Sequence, residues 1–204
     1  MGHQLILLQT ITLILCTKDK KMSTLAVNTL QAQTGTKVSV SSGHVLYPPG
    51  HSIQVINSNT NTEFQFTTAG SWVNTGLVSM TFPNALQSGS KVLVRVYATL
   101  GEGNDNTWGA ATSITIFENS TNKGDATWGI ANANAQMTGN ASYTQYECNR
   151  LAGEILFTPS VTNGTYTLYA KQHGTGTKVI GGVLNNGGSV PQGTTQVTLM
   201  EIAQ

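Results

Sequence analysis

Apolar and polar residues alternate in short runs along the chain from about residue 50 onward. The clearest run covers residues 91–99, where Val92, Val94, Val96 and Ala98 fall on one face. Alternation with a period of two residues is typical of a β-strand that has one face against a core. Residues 91–99 are therefore predicted to form a core strand.

Further runs of this kind follow at short intervals, with Gly, Pro, Asn and Asp between them, and predict roughly ten or eleven strands. Residues 196–202 are apolar on both faces, which predicts a central strand. Residues 126–135 are rich in alanine, but Gly129 and the asparagines favour strand or loop over helix. We predict an all-β fold, an antiparallel two-sheet sandwich of jelly-roll type with an extended N-terminal segment. The other predicted strands are residues 52–56, 62–68, 72–82, 111–117, 142–148, 153–157, 166–170 and 178–184.

Residues 1–21 differ from the rest of the chain. Their apolar run, residues 5–16, is too short to span a bilayer. Lys18, Lys20 and Lys21 follow this run, whereas a signal peptide carries its basic residues before it. We expect residues 1–21 to derive from an upstream start codon and to lie outside the fold, so that the working protein begins at Met22.

Residues 22–42 are predicted to be an attachment segment, and residues 43–204 a β-sandwich head. The attachment segment has too few apolar side chains to form a core alone, so it needs a partner surface. Winding of three copies around one another provides such a surface and predicts a homotrimer. The apolar residues expected in these contacts are Leu25, Val27, Leu30, Val38 and Val40.

A hinge is predicted near the start of the head, at Pro48, Pro49 and Gly50. Both prolines fix φ and lack an amide donor, so they cannot lie in a central strand or a helix. Gly50 can adopt a positive φ at a turn. The hinge is therefore expected to set the angle between the attachment segment and the head.

Composition limits the possible partners. Charged residues make up 9% of the chain and the net charge is +1, which predicts neither nucleic-acid binding nor attraction to an anionic membrane. No membrane insertion is expected. Cys16 and Cys148 are the only cysteines, so a disulfide framework is not expected.

Catalytic motifs are not apparent in the sequence. Asp105 and Asp125 lie in loops rich in Gly and Asn. They fit two interpretations, a carboxylate pair like that of glycosidases or two ordinary turn residues. Glu102 beside Asp105 offers oxygen ligands, but without the spacing of a calcium loop. His44 and His51 flank the hinge and are expected to be bystanders. We predict no enzymatic activity, no metal and no cofactor.

Aromatic residues in polar, loop-rich segments are the stronger candidates for function. Tryptophan and tyrosine present flat apolar faces that stack on sugar rings, and neighbouring amides satisfy hydroxyls. The alternative is that these side chains close the ends of the sandwich, and Trp72 shares this context. Thr-Trp-Gly at residues 107–109 recurs at 127–129, which could bring two indoles together across a hairpin or be coincidence. The predicted glycan-binding residues are Trp108, Trp128, Tyr143, Tyr146, Asn104 and Asn106.

Several blocks of sequence together resemble a known group of proteins. They are LAVNTLQAQTGTKVSV at residues 25–40, GHVLYPPGHSIQVIN at 43–57, WVNTGL at 72–77, GSKVLVRV at 89–96 and QVTLMEI at 196–202. In this order they look like the tail-fibre-like virion proteins of tailed bacteriophages, especially of marine and cyanobacterial phages. Residues 101–149 match no part of that pattern.

The resemblance implies a virion protein on the exterior of the tail or capsid, made in the cytoplasm of the bacterial host. It implies a homotrimer that attaches to other tail or capsid proteins through its N-terminal segment. The head would contact a glycan or protein on the host cell surface. Two alternatives stay open: a capsid decoration protein without a receptor, and a glycan depolymerase using Asp105, Asp125 or Glu102.

Overall fold

A computed structural model describes residues 49–102, 111–134, 148–174, 176–185, 188–191 and 193–204, all within the unit Leu46–Gln204. These residues form strands joined by turns and contain no helix. The predicted divisions after residues 21 and 42, Pro48, and the attachment residues Leu25, Val27, Leu30, Val38 and Val40 lie outside them. The strands are β1 Ser52–Thr60, β2 Phe64–Phe66, β3 Val73–Thr81, β4 Lys91–Glu102, β5 Ala111–Glu118, β6 Thr121–Asn122, β7 Ala131–Asn134, β8 Cys148–Phe157, β9 Thr165–Gln172, β10 Lys178–Ile180, β11 Gly182–Asn185, β12 Gly188–Pro191 and β13 Thr195–Ile202.

The first sheet is built around β4. Strand β8 pairs along one edge of β4, while β13 and then β10 pair along the other edge. Strand β1 pairs with β13, and β2 pairs with β10. All of these pairings are antiparallel, and β13 is central, as the apolar pattern of residues 196–202 predicts.

The second sheet is built around β9 and β5. Strand β9 lies between β3 and β5, and β7 and β6 follow one another along the far edge of β5. These pairings are also antiparallel. Strands β11 and β12 form a separate hairpin.

The core lies between the inner faces of the two sheets. Val92, Val94 and Ala98 of β4 are fully buried, as are Leu168 and Ala170 of β9. Residues from both sheets belong to one continuous apolar cluster. The prediction of an all-β, antiparallel two-sheet sandwich is confirmed, and so is the core strand at residues 91–99.

Two details of the predicted strands are wrong. The predicted strands 142–148 and 153–157 leave a gap after residue 148, but β8 is continuous from Cys148 to Phe157 because β4 extends to Glu102 and offers partners over this whole length. Residues 142–147 lie outside the described residues. The described residues contain thirteen strands, more than predicted, because β6 and β12 fall between the predicted strands and the predicted strand 178–184 divides at Gly181 into β10 and β11.

Pro49 and Gly50 lie in a turn that leads into β1. Gly50 has a φ of 80°, the positive value expected for this hinge position. Its amide donates to the carbonyl of Ala203 at 2.8 Å, and the amide of Ala203 donates to the carbonyl of His51 at 2.8 Å. The start of the described chain is thus fastened to its C-terminal end.

A buried ion pair lies at the end of the sandwich where β5 ends and β9 begins. Glu118 Oε2 and Lys123 Nζ are 2.6 Å apart, with side chains only 1% and 9% exposed. The Ser160 amide and the Tyr166 hydroxyl also donate to the carboxylate, at 2.8 and 3.2 Å. Burial alone would raise the pKa of Glu118, but the Lys123 ammonium and the Ser160 amide hold it below its ordinary value.

A second buried carboxylate, Glu201, lies on the inner face of β13. Its oxygens accept from Gln54 Nε2 at 2.7 Å and from the Gln87 amide at 2.6 Å. The amide of Leu86 donates to the Thr162 carbonyl at 2.7 Å, which joins the β3–β4 loop to the β8–β9 loop. Both loops at this end are therefore held by hydrogen bonds to each other and to buried carboxylates.

We expect Lys123→Met to lower the free energy of unfolding by about 3–5 kcal/mol, because it leaves the Glu118 carboxylate buried without its cation. Urea denaturation at pH 7 measures this loss. The matched control is Arg95→Met, because Arg95 and Glu154 form an ion pair at 3.0 Å with side chains 58% and 62% exposed. That control should cost less than about 1 kcal/mol, and equal losses in the two variants would contradict the prediction.

The stability that Glu118 contributes depends on pH. Because its pKa is lower in the folded protein than its ordinary value of 4.5, the contribution is complete above pH 4.5 and is lost as the pH falls through the folded pKa. Glu118→Gln should therefore flatten the acid limb of a plot of unfolding free energy against pH. An acid limb as steep as that of the wild type would show that other carboxylates cause it.

Candidate functional site: an aromatic platform on the second sheet

Aromatic side chains cover part of the outer face of the second sheet. Phe117 of β5 and Tyr169 of β9 point outward because Ile116 and Leu168, their neighbours in the chain, point into the core. Their rings stack with centroids 4.0 Å apart. Trp72, just before β3, meets the Phe117 ring edge to face at 6.4 Å. We call Trp72, Phe117, Trp128, Tyr169 and His173 the aromatic platform.

The turn at residues 125–129 carries Trp128. Asp125 and Gly129 exchange two backbone hydrogen bonds of 3.0 Å. The Asp125 carboxylate accepts from the amides of Trp128 at 2.7 Å and Thr127 at 2.8 Å. These two amides lower the pKa of Asp125. Asp125 is therefore a turn residue, one of the two interpretations that the sequence left open.

This turn is fastened to the sheet below it. The amide of Ile130 donates to the Ile114 carbonyl at 2.8 Å, and Trp72 Nε1 donates to the Ala126 carbonyl at 3.0 Å. Gly129 has a φ of 69°, and a Cβ there would collide with the Ile114 carbonyl and lie 2.8 Å from Trp72 Cη2. Only glycine lets the turn approach the sheet this closely.

Trp128 stacks on His173, with ring centroids 4.4 Å apart and planes inclined by 29°. The histidine is fixed in turn, because its Nε2 shares a 2.8 Å hydrogen bond with Ser113 Oγ and its amide donates to the Ala111 carbonyl. Although one face of the indole is covered by the imidazole, Trp128 is 48% exposed. Burial, and then the charge of Lys171, lower the pKa of His173, so the imidazole is neutral at pH 7.

One cation and one carboxylate lie near these rings. Lys171 Nζ is 5.5 Å from the centroid of the Trp72 ring, within the range of a cation–π contact. Its charge also acts on Asp125. The platform therefore combines a flat apolar surface with a charged donor.

Of the predicted glycan-binding residues, the structure places Trp128 on the platform. Trp108, Asn104 and Asn106, in residues 103–110, and Tyr143 and Tyr146, in residues 135–147, lie outside the described residues, and so does the suggested approach of Trp108 to Trp128.

The strands that flank both of these segments end close to the platform. Gly101 pairs with Cys148, and Ala111 pairs with Asn134. The same end of the sandwich carries His173, whose amide donates to Ala111. The chain therefore enters and leaves the two segments at the end of the sandwich that holds the stacked Trp128 and His173.

Sequence analysis missed the residues that support Trp128. His173 was not among the candidate residues, because its stacking on Trp128 joins positions 45 residues apart in the chain. Phe117 and Tyr169 were assigned only to strands. The pairing of β5 with β9 brings them together, and alternation within a single strand carries no information on that pairing.

In the part of the chain that the structure describes, His, Cys, Asp and Glu do not gather in groups of three or more that could hold a metal ion. The described strands and turns include no helix long and apolar enough to cross a membrane.

Gly129→Ala should lift the turn from the sheet and displace both Trp72 and Trp128. Near-ultraviolet circular dichroism and tryptophan fluorescence should change, because both indoles lose their fixed surroundings. Gly76→Ala is the matched control, since Gly76 also has a positive φ, 64°, but a Cβ there meets nothing within 4 Å. Identical spectra for the two variants would show that Gly129 does not hold the turn against the sheet.

The chain shows little similarity to known proteins. No protein-family model matches the chain, and no curated protein matches it. Among solved structures, it is similar to dimeric latent PorU from Porphyromonas gingivalis, with a TM-score of 0.34 and 16% identity over 77% of this chain and 11% of that chain. It is also similar to the infectious bursal disease virus VP2 subviral particle (TM-score 0.35, 12% identity, 83% and 42% covered) and to the Gx strain of that virus (0.34, 13%, 82% and 46%). The chain spans less than half of each of these structures, and such low TM-scores support no inference about function.

Proposed function

We propose that the protein is a virion structural protein of a tailed bacteriophage whose head binds a glycan on the host surface through the aromatic platform. The observation that carries this proposal is the Trp128 side chain, which is stacked on His173 and 48% exposed. An indole held by a second ring is pre-organised, so a ligand that stacks on it loses little side-chain entropy from the protein.

A sugar ring matches the chemistry of this surface. One face of a pyranose presents C–H groups that pack on an indole, while its hydroxyls need donors and acceptors around the ring. The ammonium of Lys171 lies beside the Trp72 ring, and Thr127 of the turn at residues 125–129 is exposed and carries a hydroxyl that can donate or accept. A glycan with a carboxylate would gain further from Lys171.

Binding through an open face is expected to be weak for a single head, because a surface buries less of a ligand than a cleft does. Several heads on one particle would compensate, since linked binding events raise avidity by about 10²–10⁴ without new contacts. Display on a virion fits this requirement. The sequence blocks that resemble tail-fibre-like proteins support the same assignment.

The depolymerase alternative has little support among the described residues. Asp125 was one of its candidate acids, but its carboxylate holds two amides of a turn and its pKa is lowered. A general acid needs the opposite, a pKa raised toward the working pH. The proposed function is therefore binding without cleavage.

The test is Trp128→Ala in the full chain. We expect loss of binding on an array of bacterial surface glycans, and loss of competition with phage for host cells, by at least about tenfold, the order of one aromatic stacking contact. Trp128→Phe should keep part of the binding, because a flat ring remains on His173.

The control variant is Val161→Ala, because Val161 is also an exposed apolar residue, at 39%, but lies in the loop between β8 and β9. It should bind like the wild type. If a folded Trp128→Ala protein binds glycan and host cells normally, the platform is not the binding site. If the wild type binds no glycan and labels the capsid in immunogold images, the role is that of a decoration protein.

A further inference from the structure

The outer face of the first sheet carries a row of apolar side chains that crosses four strands. Val55 of β1 pairs with Met200 of β13, Met200 pairs with Leu93 of β4, and Leu93 pairs with Leu156 of β8. We call these four residues the apolar row. Their neighbours in the chain, such as Val94 and Leu199, face the core, so the row faces away from it.

The side chains at the two ends of the apolar row are exposed to solvent. Val55 is 58% exposed and Leu156 is 49% exposed, while Leu93 and Met200 between them are partly buried. Single exposed apolar residues are common and need no explanation. Four in register on adjacent strands form a continuous stripe, which is the kind of surface that marks an interface.

Polar residues flank the stripe on one side. Asn57, Thr198, Arg95 and Glu154 pair in the same order across the four strands. Arg95 and Glu154 form an exposed ion pair with each other, so this neighbouring row has charges of both signs and no excess of either. On the other side, Ile202 of β13 extends the apolar surface beside Lys91.

We propose that a second copy of this chain covers the apolar row in a face-to-face dimer. The row is self-complementary under a two-fold axis that runs along the strands between β13 and β4. That axis places Val55 of one copy against Leu156 of the other, and Met200 against Leu93. It also places Arg95 against Thr198 and Glu154 against Asn57, so no like charges meet.

The size of the face agrees with an association of this kind. Four strands spaced about 4.8 Å apart, with seven residues of β13 paired to β4 at about 3.4 Å each, cover roughly 450 Å² per copy. Two copies therefore bury about 900 Å², which is below the roughly 1,200 Å² of stable interfaces and within the range of weak ones. The expected dimer is concentration-dependent, with a dissociation constant in the micromolar range.

The test is sedimentation of the full chain from about 1 to 100 μM, the range that spans a micromolar dissociation constant. The average mass should rise about twofold with concentration. Leu156→Glu should raise the dissociation constant at least tenfold, because it buries an unpaired carboxylate in the apolar stripe. Trp128→Ala changes a side chain of similar exposure, 48%, on the turn over the other sheet, and this variant should associate like the wild type.

Cross-linking tests the proposed axis directly. In a Cys16→Ser, Cys148→Ser background, the Val55→Cys and Leu156→Cys proteins are mixed and treated with a short bismaleimide. The mixture should give dimers that contain one copy of each, whereas each protein alone should give few. Efficient cross-linking of Leu156→Cys protein with itself would overturn this axis.

If something other than a second copy covers the apolar row, the same experiments give different results. If the chain's own first 48 residues cover the row, the wild type sediments as a monomer at all concentrations and Val55→Cys protein reacts slowly with maleimide. An oligomer whose mass does not change in Leu156→Glu protein assembles elsewhere. Either result overturns the inference. None of these measurements involves glycan, so failure here leaves the proposed function untouched, and the reverse also holds.

Discussion

The burial of one face of β4 against the second sheet is the interaction on which the structure depends. Val92, Val94, Ala98 and Leu100 are completely buried, and β4 is paired on both edges over most of its length. A slip of one residue would turn the Arg95 position into the core and the Val94 position out to solvent. This burial therefore fixes the register of β13 and β8, and with it the order of side chains on the outer face.

The core is predictable from sequence because the alternation of apolar and polar residues in each core strand shows which face of that strand is buried. Alternation in residues 91–99 and 166–170 identified the buried face of β4 and of β9, and the absence of alternation in residues 196–202 identified a central strand. Irregular points inside a strand depend on contacts elsewhere in the fold. Gly181 divides the predicted strand 178–184 into β10 and β11, since its φ is 83° and a Cβ there would lie 2.7 Å from the Thr62 carbonyl. Strand limits were less predictable, because they depend on the partner: β8 is long because β4 is long.

The candidate site was only partly predictable, because it depends on contacts between elements that are distant in the chain. Trp128 could be chosen from the sequence as an aromatic residue in a polar segment. Its ring, however, is supported by His173, which directly follows β9 and stacks on it. The close approach of Gly129 to Ile114 depends equally on the pairing of β5 with β7. Alternation tells which side chains face outward, and it does not tell what covers them. The apolar row could not be predicted for the same reason, because its four residues belong to four different strands and come together only through strand pairing.

The low charge of the molecule affects both outer faces, the one with the aromatic platform and the one with the apolar row. With a net charge of +1 and 9% charged residues, the molecule has little field with which to steer a ligand or another copy toward itself. The ion pair of Arg95 with Glu154 neutralises charge next to the apolar row, and the carboxylate of Asp125 is occupied by amides of its own turn. Association at either face must then rely on apolar area and on local concentration. A protein displayed in many copies on one particle has that concentration, and weak, unsteered contacts are sufficient there.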